Sequence, residues 1–253
     1  KEDVRNCRGS SKGKKPECRP DENNICKRCN KKVNIEPVWT EAKDINLGDY
    51  LLTKIDKSSD NLHVGLDKAK LLGLYLGDGH IIKKKLVLGN IRNKGFGITL
   101  DKSAEEHLQN ILDVCNAVST KNSPKVHNHK ENALLVRVHD QELTKWLIEH
   151  TGQGSFGKRL HESVFGWHPE EKMSLLGGYL DTDGCIDEDG KIRFATSNRG
   201  LALDIRRLIL SLRIPANVRK QRASGSYSYT NEFSYIIDIS SGYSNFLTNF
   251  SVK

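Results

Sequence analysis

Two stretches of the chain carry nearly the same message: LLGLYLGDGH at residues 71–80 and LLGGYLDTDGCI at residues 175–186. Each reads as an apolar helix that runs into an aspartate and then a glycine. The segments that follow also match, so the chain is constrained to fold as two copies of one plan. In the first copy a helix over 66–78 leads to the strand candidates KKLVLG and GFGITL. A helix opens at Ser103 with SAEE as a capping box, SPKVHNHK and ALLVRVHD supply two more strands, and QELTKWLIEH a short helix. In the second copy Pro169 opens a helix that ends near Asp183, and DEDG at 187–190 turns a hairpin into KIRFATS. LALDIRRLILSLRI is a long helix halted by Pro215, ANVRKQRAS and EFSYIIDIS are strands, and YSNFLTNF closes the unit. Each half reads αββαββα, a duplicated α+β fold with pseudo-twofold symmetry.

An aspartate at a helix C-terminus faces the negative end of the dipole, a cost of about 0.3 to 1 kcal/mol. Gly73 and Gly77 lie one helical turn apart, as do Gly178 and Thr182, so each helix has a strip of small residues along one face. Helices packed on those strips would bring Asp78 and Asp183 side by side. Two such charges about 4 Å apart repel by roughly 4 kcal/mol at an effective dielectric of 20. A divalent cation reverses that sign, so the expectation is a magnesium site with Asp78, Asp183 and the backbone carbonyls of Gly77 and Thr182 as oxygen ligands. The competing explanation is that Asp-Gly is a common helix stop, which two occurrences in matching repeats disfavour.

The net charge is +8, and the excess cations fall in groups, several on strand candidates, which points to a polyanion and foremost to nucleic acid. The longest apolar runs are too short or too charged to span a bilayer, and the first residues lack the apolar core of a signal peptide. The chain therefore reads as a soluble, intracellular protein. Cys115 and Cys185 read as small buried side chains. Cys7, Cys18, Cys26 and Cys29 crowd a polar stretch poor in apolar residues, a pattern that suits a structural zinc site. A disordered basic tail and a disulfide pair are the alternatives. His127 and His129, at i and i+2, could hold a metal but have no third ligand in view. Tyr227 and Tyr229 read as part of a loop. The expected divisions are a cysteine-rich segment over 1–37, a strand-rich connector over 38–65, and repeats over 66–160 and 161–253.

LLGLYLGDG at 71–79 and LGGYLDTDG at 176–184 resemble the two signature helices of single-chain LAGLIDADG homing endonucleases, and the resemblance extends over roughly 66–253. VWTEAKDINLGDYL resembles the segment that joins splicing and endonuclease domains in inteins. FGKRLHESVFGW resembles the element before the second signature helix in the yeast vacuolar ATPase intein and the mating-type switching endonuclease. The resemblance implies that Asp78 and Asp183 bind the catalytic metal and that Lys158 is the first repeat's active-site lysine, with Lys253 its counterpart. His161 stands where that family usually has proline, and the first signature lacks the acid that Asp181 supplies to the second. The implied fold sets two four-stranded sheets as a saddle over duplex DNA. Lys83, Lys85, Arg92, Lys94, His127, His129, Arg137, Arg193, Arg219 and Arg222 are then candidates for base or phosphate contact.

The implied activity is magnesium-dependent double-strand cleavage of duplex DNA at long specific sites by a monomer, in the nucleus if the host is a eukaryote. An RNA maturase and a nuclease-dead DNA-binding regulator are the competing functions. The presence of Asp78, Asp183 and Lys158 favours cleavage, because binding alone has no use for two repelling carboxylates beside phosphates. Self-splicing is not expected, since the chain begins with Lys and has no closing His-Asn pair.

Overall fold

A computed structural model of the protein describes residues 39–45, 63–85, 91–222, 233–243, 247 and 249–251. The chain divides into two compact units, 1–53 and 54–253. In the first, the described residues hold a single 3-10 turn, Ala42–Asp44, with Trp39 fully exposed beside it. That part of the expected strand-rich connector is therefore a turn. The four early cysteines, Lys253, and Tyr227 with Tyr229 lie outside the described residues.

The second unit holds both copies of the repeat. The first runs α1 (Leu66–Asp78), β1 (Gly79–Lys85), β2 (Ile91–Asp101), α2 (Glu105–Val118), β3 (Lys125–Lys130), β4 (Ala133–Val138) and α3 (Gln141–Thr151). The second runs α4 (Pro169–Asp183), β5 (Gly184–Ile186), β6 (Ile192–Thr196), α5 (Arg199–Ser211), β7 (Ala216–Arg222) and β8 (Phe233–Ile239). Each copy forms one antiparallel sheet of four strands with the same spatial order, β1-β2-β4-β3 and β5-β6-β8-β7. One face of each sheet is apolar and packs under the helices: Phe96, Ile98, Val136 and Val138 in the first, Ile192, Phe194, Ile237 and Ile239 in the second. The other face carries polar and charged side chains, as alternation along a strand requires.

Local chemistry explains most helix ends. Asp140 caps α3 by accepting from Leu143 N at 3.0 Å, and Asn198 caps α5 by accepting from Leu201 N at 3.1 Å. α4 opens with Pro169 in its first turn, and the Glu171 carboxylate accepts from His168 N at 3.2 Å. Three expectations are corrected. Ser103 does not cap α2: Ala104 holds the cap position, and Ser103 instead binds Asp101 Oδ1 through both its backbone N and its hydroxyl. α5 stops at Ser211, ahead of Pro215, because the chain turns through Arg213 in the left-handed region at φ 63°. Cys115 is buried as expected, but Cys185 is exposed, because it sits on the outer face of its sheet.

Candidate active site and nucleic-acid interface

α1 and α4 are the central pair, and both are buried along nearly their whole length. That is why their middles, LLGLYL and LLGGYL, are apolar on all sides rather than along one stripe. They touch on the glycine strips. A Cβ on Gly73 would fall on the Leu175 carbonyl oxygen, and one on Gly178 would fall on the Lys70 carbonyl oxygen. At the C-terminal end a Cβ on Gly77 would strike the Thr182 side chain and lie 3.3 Å from Asp183 N. The N-terminal ends are tied together by Glu171, whose Oε1 accepts from Val64 N at 2.7 Å and Gly65 N at 2.8 Å.

Asp78 and Asp183 end these two helices, and both are exposed. Both act electrostatically on the same two buried side chains, Lys158 and Tyr179, so the structure brings the acids to one place. Lys158 is only 3% exposed, and its Nζ donates to four carbonyl oxygens: Tyr75 at 2.7 Å, Leu76 at 2.9 Å, Gly77 at 3.1 Å and Gly79 at 2.9 Å. Three of these carbonyls belong to the last turn of α1, that of Tyr75 also accepting from Gly79 N, and the fourth is at the start of β1, so the ammonium caps the helix and offsets the cost of a carboxylate there. Burial pushes the Lys158 pKa down to about 8, against the pull of Asp183 and Asp78 in the other direction. Burial likewise pushes the Tyr75 and Tyr179 hydroxyls well above their usual range.

Lys158 is held in place from the second copy. Asn198 Nδ2 donates to the carbonyl oxygens of Phe156 at 3.0 Å and Lys158 at 2.7 Å, and the next residue, Arg159, forks onto Asp204 at 2.6 and 2.9 Å. Asp181 is buried between elements, accepting from Asn110 at 3.2 Å and lying 3.6 Å from Lys70 Nζ. It therefore braces the helices, while Leu76 of the first signature is buried carbon.

Among the described residues no group of three or more His, Cys, Asp and Glu side chains could hold a metal. The donor set at the helix ends is two carboxylates with the carbonyls of Gly77 and Thr182, all hard oxygens, which fits magnesium or calcium with remaining positions open to water and phosphate. The Gly77 carbonyl also accepts from Lys158, and its second lone pair stays available.

Strand register separates the basic candidates. In the first sheet His80, Gly97, Arg137 and Lys125 form one row across the outer face. The ladder shifts register between Ile82 and Lys83, and beyond the shift Lys83 pairs with Asn93 and Lys85 with Ile91 at the strand end, so Lys83 does not continue that row. Arg92 pairs with Lys84 and bonds Gln141 at the start of α3 at 2.8 Å, and Lys94 falls at the register shift, outside the ladder. His127 pairs with Leu135 on the outer face, while an irregularity between Asn128 and Lys130 takes His129 out of the ladder. In the second sheet the matching row is Cys185, Arg193, Asp238 and Asn217, with Arg219 on the same face and Arg222 on the other. So Arg222 does not join the shared outer face, because alternation along its strand turns it away, and the bulge takes Lys94 out of the first sheet's ladder.

His80 and Lys125 were missed by sequence reasoning. His80 stands two residues after Asp78 in GDGH; burial lowers its pKa, as do the charges of His129, Lys158 and Arg137. Its place beside the acid was a usable signal. Lys125 had none, since only register sets it opposite Arg137.

Residues 170–244 match the family model of the LAGLIDADG-like domain. An iron–sulfur cluster assembly SufBD family protein of Mycobacterium tuberculosis is 25% identical over 195 residues, 75% of this chain and 22% of the relative. The ATP-dependent DNA helicase Hel308 of Thermococcus kodakarensis is 21% identical over 202 residues, 76% of this chain and 17% of the relative. The chain thus spans less than a quarter of either relative. The homing endonuclease I-DmoI in complex with DNA and Ca superposes with a TM-score of 0.54 at 16% identity, covering 73% of this chain and 88% of that one. I-DmoI has also been solved in complex with DNA and Mn.

Proposed function

We propose that the chain, whose residues 170–244 match the LAGLIDADG-like domain, is a divalent-metal-dependent endonuclease of that type acting on duplex DNA at specific sites. One observation carries this reading: α1 and α4 end together, so that Asp78 and Asp183 share a site beside the buried ammonium of Lys158. Those acids, with the Gly77 and Thr182 carbonyls, are the residues that would hold the cation, which when bound supplies an activated water and charge compensation at a phosphate. Asp78 and Asp183, exposed at the helix tips, position that site against a backbone entering from solvent. Lys158 keeps the end of α1 rigid by satisfying its carbonyls and places a positive charge behind both acids. Lys253 is proposed as its counterpart in the second copy. The row His80, Arg137 and Lys125 would hold phosphates or base edges on one side of the cut, and Arg193 with Arg219 on the other.

Two further facts support the reading. An iron–sulfur assembly protein and a DNA helicase carry a similar stretch as 22% and 17% of their lengths. A domain shared by hosts of such different chemistry behaves as an inserted, mobile module, as the resemblance to intein-borne endonucleases also suggests. A role in binding alone gives no reason to seat two carboxylates where phosphates must approach.

The test is incubation of the protein with a plasmid library in magnesium, beside Asp78→Asn and Asp183→Asn. The expected result is magnesium-dependent double-strand cutting at rare sites, lost in either variant while binding to DNA persists. Equal cutting by wild type and variants would remove the site assignment, and binding without cutting by the wild type would favour the regulator.

A further inference from the structure

We propose that Arg193, Asp238 and Arg219 form a preassembled element that reads guanine in one half of the target, and that Asp238 is its specificity-determining residue; this rests on the DNA reading above. Register places Arg193 opposite Asp238 at the centre of the second sheet, with Arg219 on the neighbouring strand of the same face. Asp238 divides its two oxygens between them, accepting from Arg193 Nε at 3.2 Å and from Arg219 Nε at 2.8 Å. A second acceptor holds each guanidinium: Asp187 takes Arg193 Nη2 at 2.7 Å, and Gln221 takes Arg219 Nη1 at 2.6 Å. Each fork is thus fixed in plane by two bonds, while Arg193 Nη1 and Arg219 Nη2 make no bond among the described residues.

This arrangement suits base edges better than phosphates. The charges of two arginines and two aspartates cancel, and a carboxylate beside a phosphate is repulsive, so the cluster adds little to a sequence-independent grip. An arginine already held in one geometry loses less side-chain freedom on docking, and its planar fork matches the O6 and N7 acceptors of guanine in the major groove. The corresponding row of the first sheet is His80, Gly97, Arg137 and Lys125, with no carboxylate in it. The two sheets therefore divide the work: the first holds by charge and the second discriminates by shape and hydrogen bonding.

The experiment is selection from random-sequence duplex DNA with the full chain, in an Asp183→Asn background so that bound DNA stays intact, followed by affinity measurements across salt concentrations. The wild-type sheet should enrich a guanine in one half-site. Asp238→Asn and Arg219→Lys should each reduce that preference about tenfold and leave the other half-site unchanged. Arg219→Lys keeps the charge, so its salt slope should match the parent, whereas Lys125→Ala should weaken binding to every sequence and lower the slope by about one. Unchanged base preference in Arg219→Lys overturns the proposal, as does a drop in its affinity for all sequences alike; this variant decides should Asp238→Asn lose its fold by circular dichroism. Failure of the parent protein to bind any duplex would overturn the DNA reading itself, and with it this inference.

Discussion

Lys158 concentrates the physics of the site in one side chain. An ammonium sealed from water is costly, and four carbonyl oxygens at the end of α1 make up for the lost hydration only in part, since burial still lowers its pKa to about 8 from 10.5. Below about pH 8 folded and unfolded chains both carry the proton, and the folded state bears the full cost. Between about 8 and 10.5 the unfolded chain holds more protons, so stability should rise with pH in that window, by up to about 3 kcal/mol. Urea denaturation of wild type and Lys158→Met in chelator, at about pH 7 and about pH 10, checks the sign: the wild type should gain on the variant at the higher pH. No relative gain would show that the carbonyls solvate the ammonium as well as water does. The motif resemblance made this lysine legible in the sequence. Its partners were not legible, because they are backbone oxygens of a helix more than seventy residues earlier, and side-chain patterns carry no record of them.

At the scale of elements, the α1 and α4 interface shows why glycines recur in the two signatures. Gly178 lies against the Lys70 carbonyl and 3.0 Å, measured from a would-be Cβ, from Leu74 N, so neither neighbour can yield without moving a helix backbone. Gly178→Ala should cost about 2 kcal/mol or more, at the upper end of overpacking effects. Gly242→Ala, at a position with nothing within 4 Å, should change stability little, and the pair is read by chemical denaturation. A Gly178→Ala protein as stable as its parent would show that the helices slide apart at no cost. Helix-helix contact was legible because small-residue spacing is a property of one helix at a time. The start of α2 and the end of α5 were misjudged for the opposite reason. Ser103 prefers Asp101, and the left-handed turn at Arg213 ends α5 before the proline acts.

For the whole molecule, the net charge of +8 is unevenly used. Among the described residues, the outer face of the first sheet presents Lys125 and Arg137, while Arg193 and Arg219 of the second are paired with Asp187 and Asp238. DNA affinity should therefore fall steeply with salt, and most of the slope should belong to the first sheet. A protein with six to ten phosphate contacts loses roughly a thousandfold or more in affinity between about 50 and 200 mM salt. Titrating Lys125→Ala against Arg193→Ala at several salt concentrations checks this, the first being expected to flatten the slope by about one and the latter scarcely at all. Equal slopes would mean that the paired arginines release counterions as free ones do.

The sequence by itself determined the duplication, the α+β class, the helix-strand order of the described parts and the meeting of two glycine-lined helices, because each depends on short-range periodicity that repeats in the chain. Tertiary structure alone decided which cations share a face and which are already neutralised, because strand register is set by pairing between distant segments. A shift of one residue would have exchanged Arg219 with Lys220. It also decided that Lys158 lies beneath the end of α1, where only the joining of the two copies could carry it.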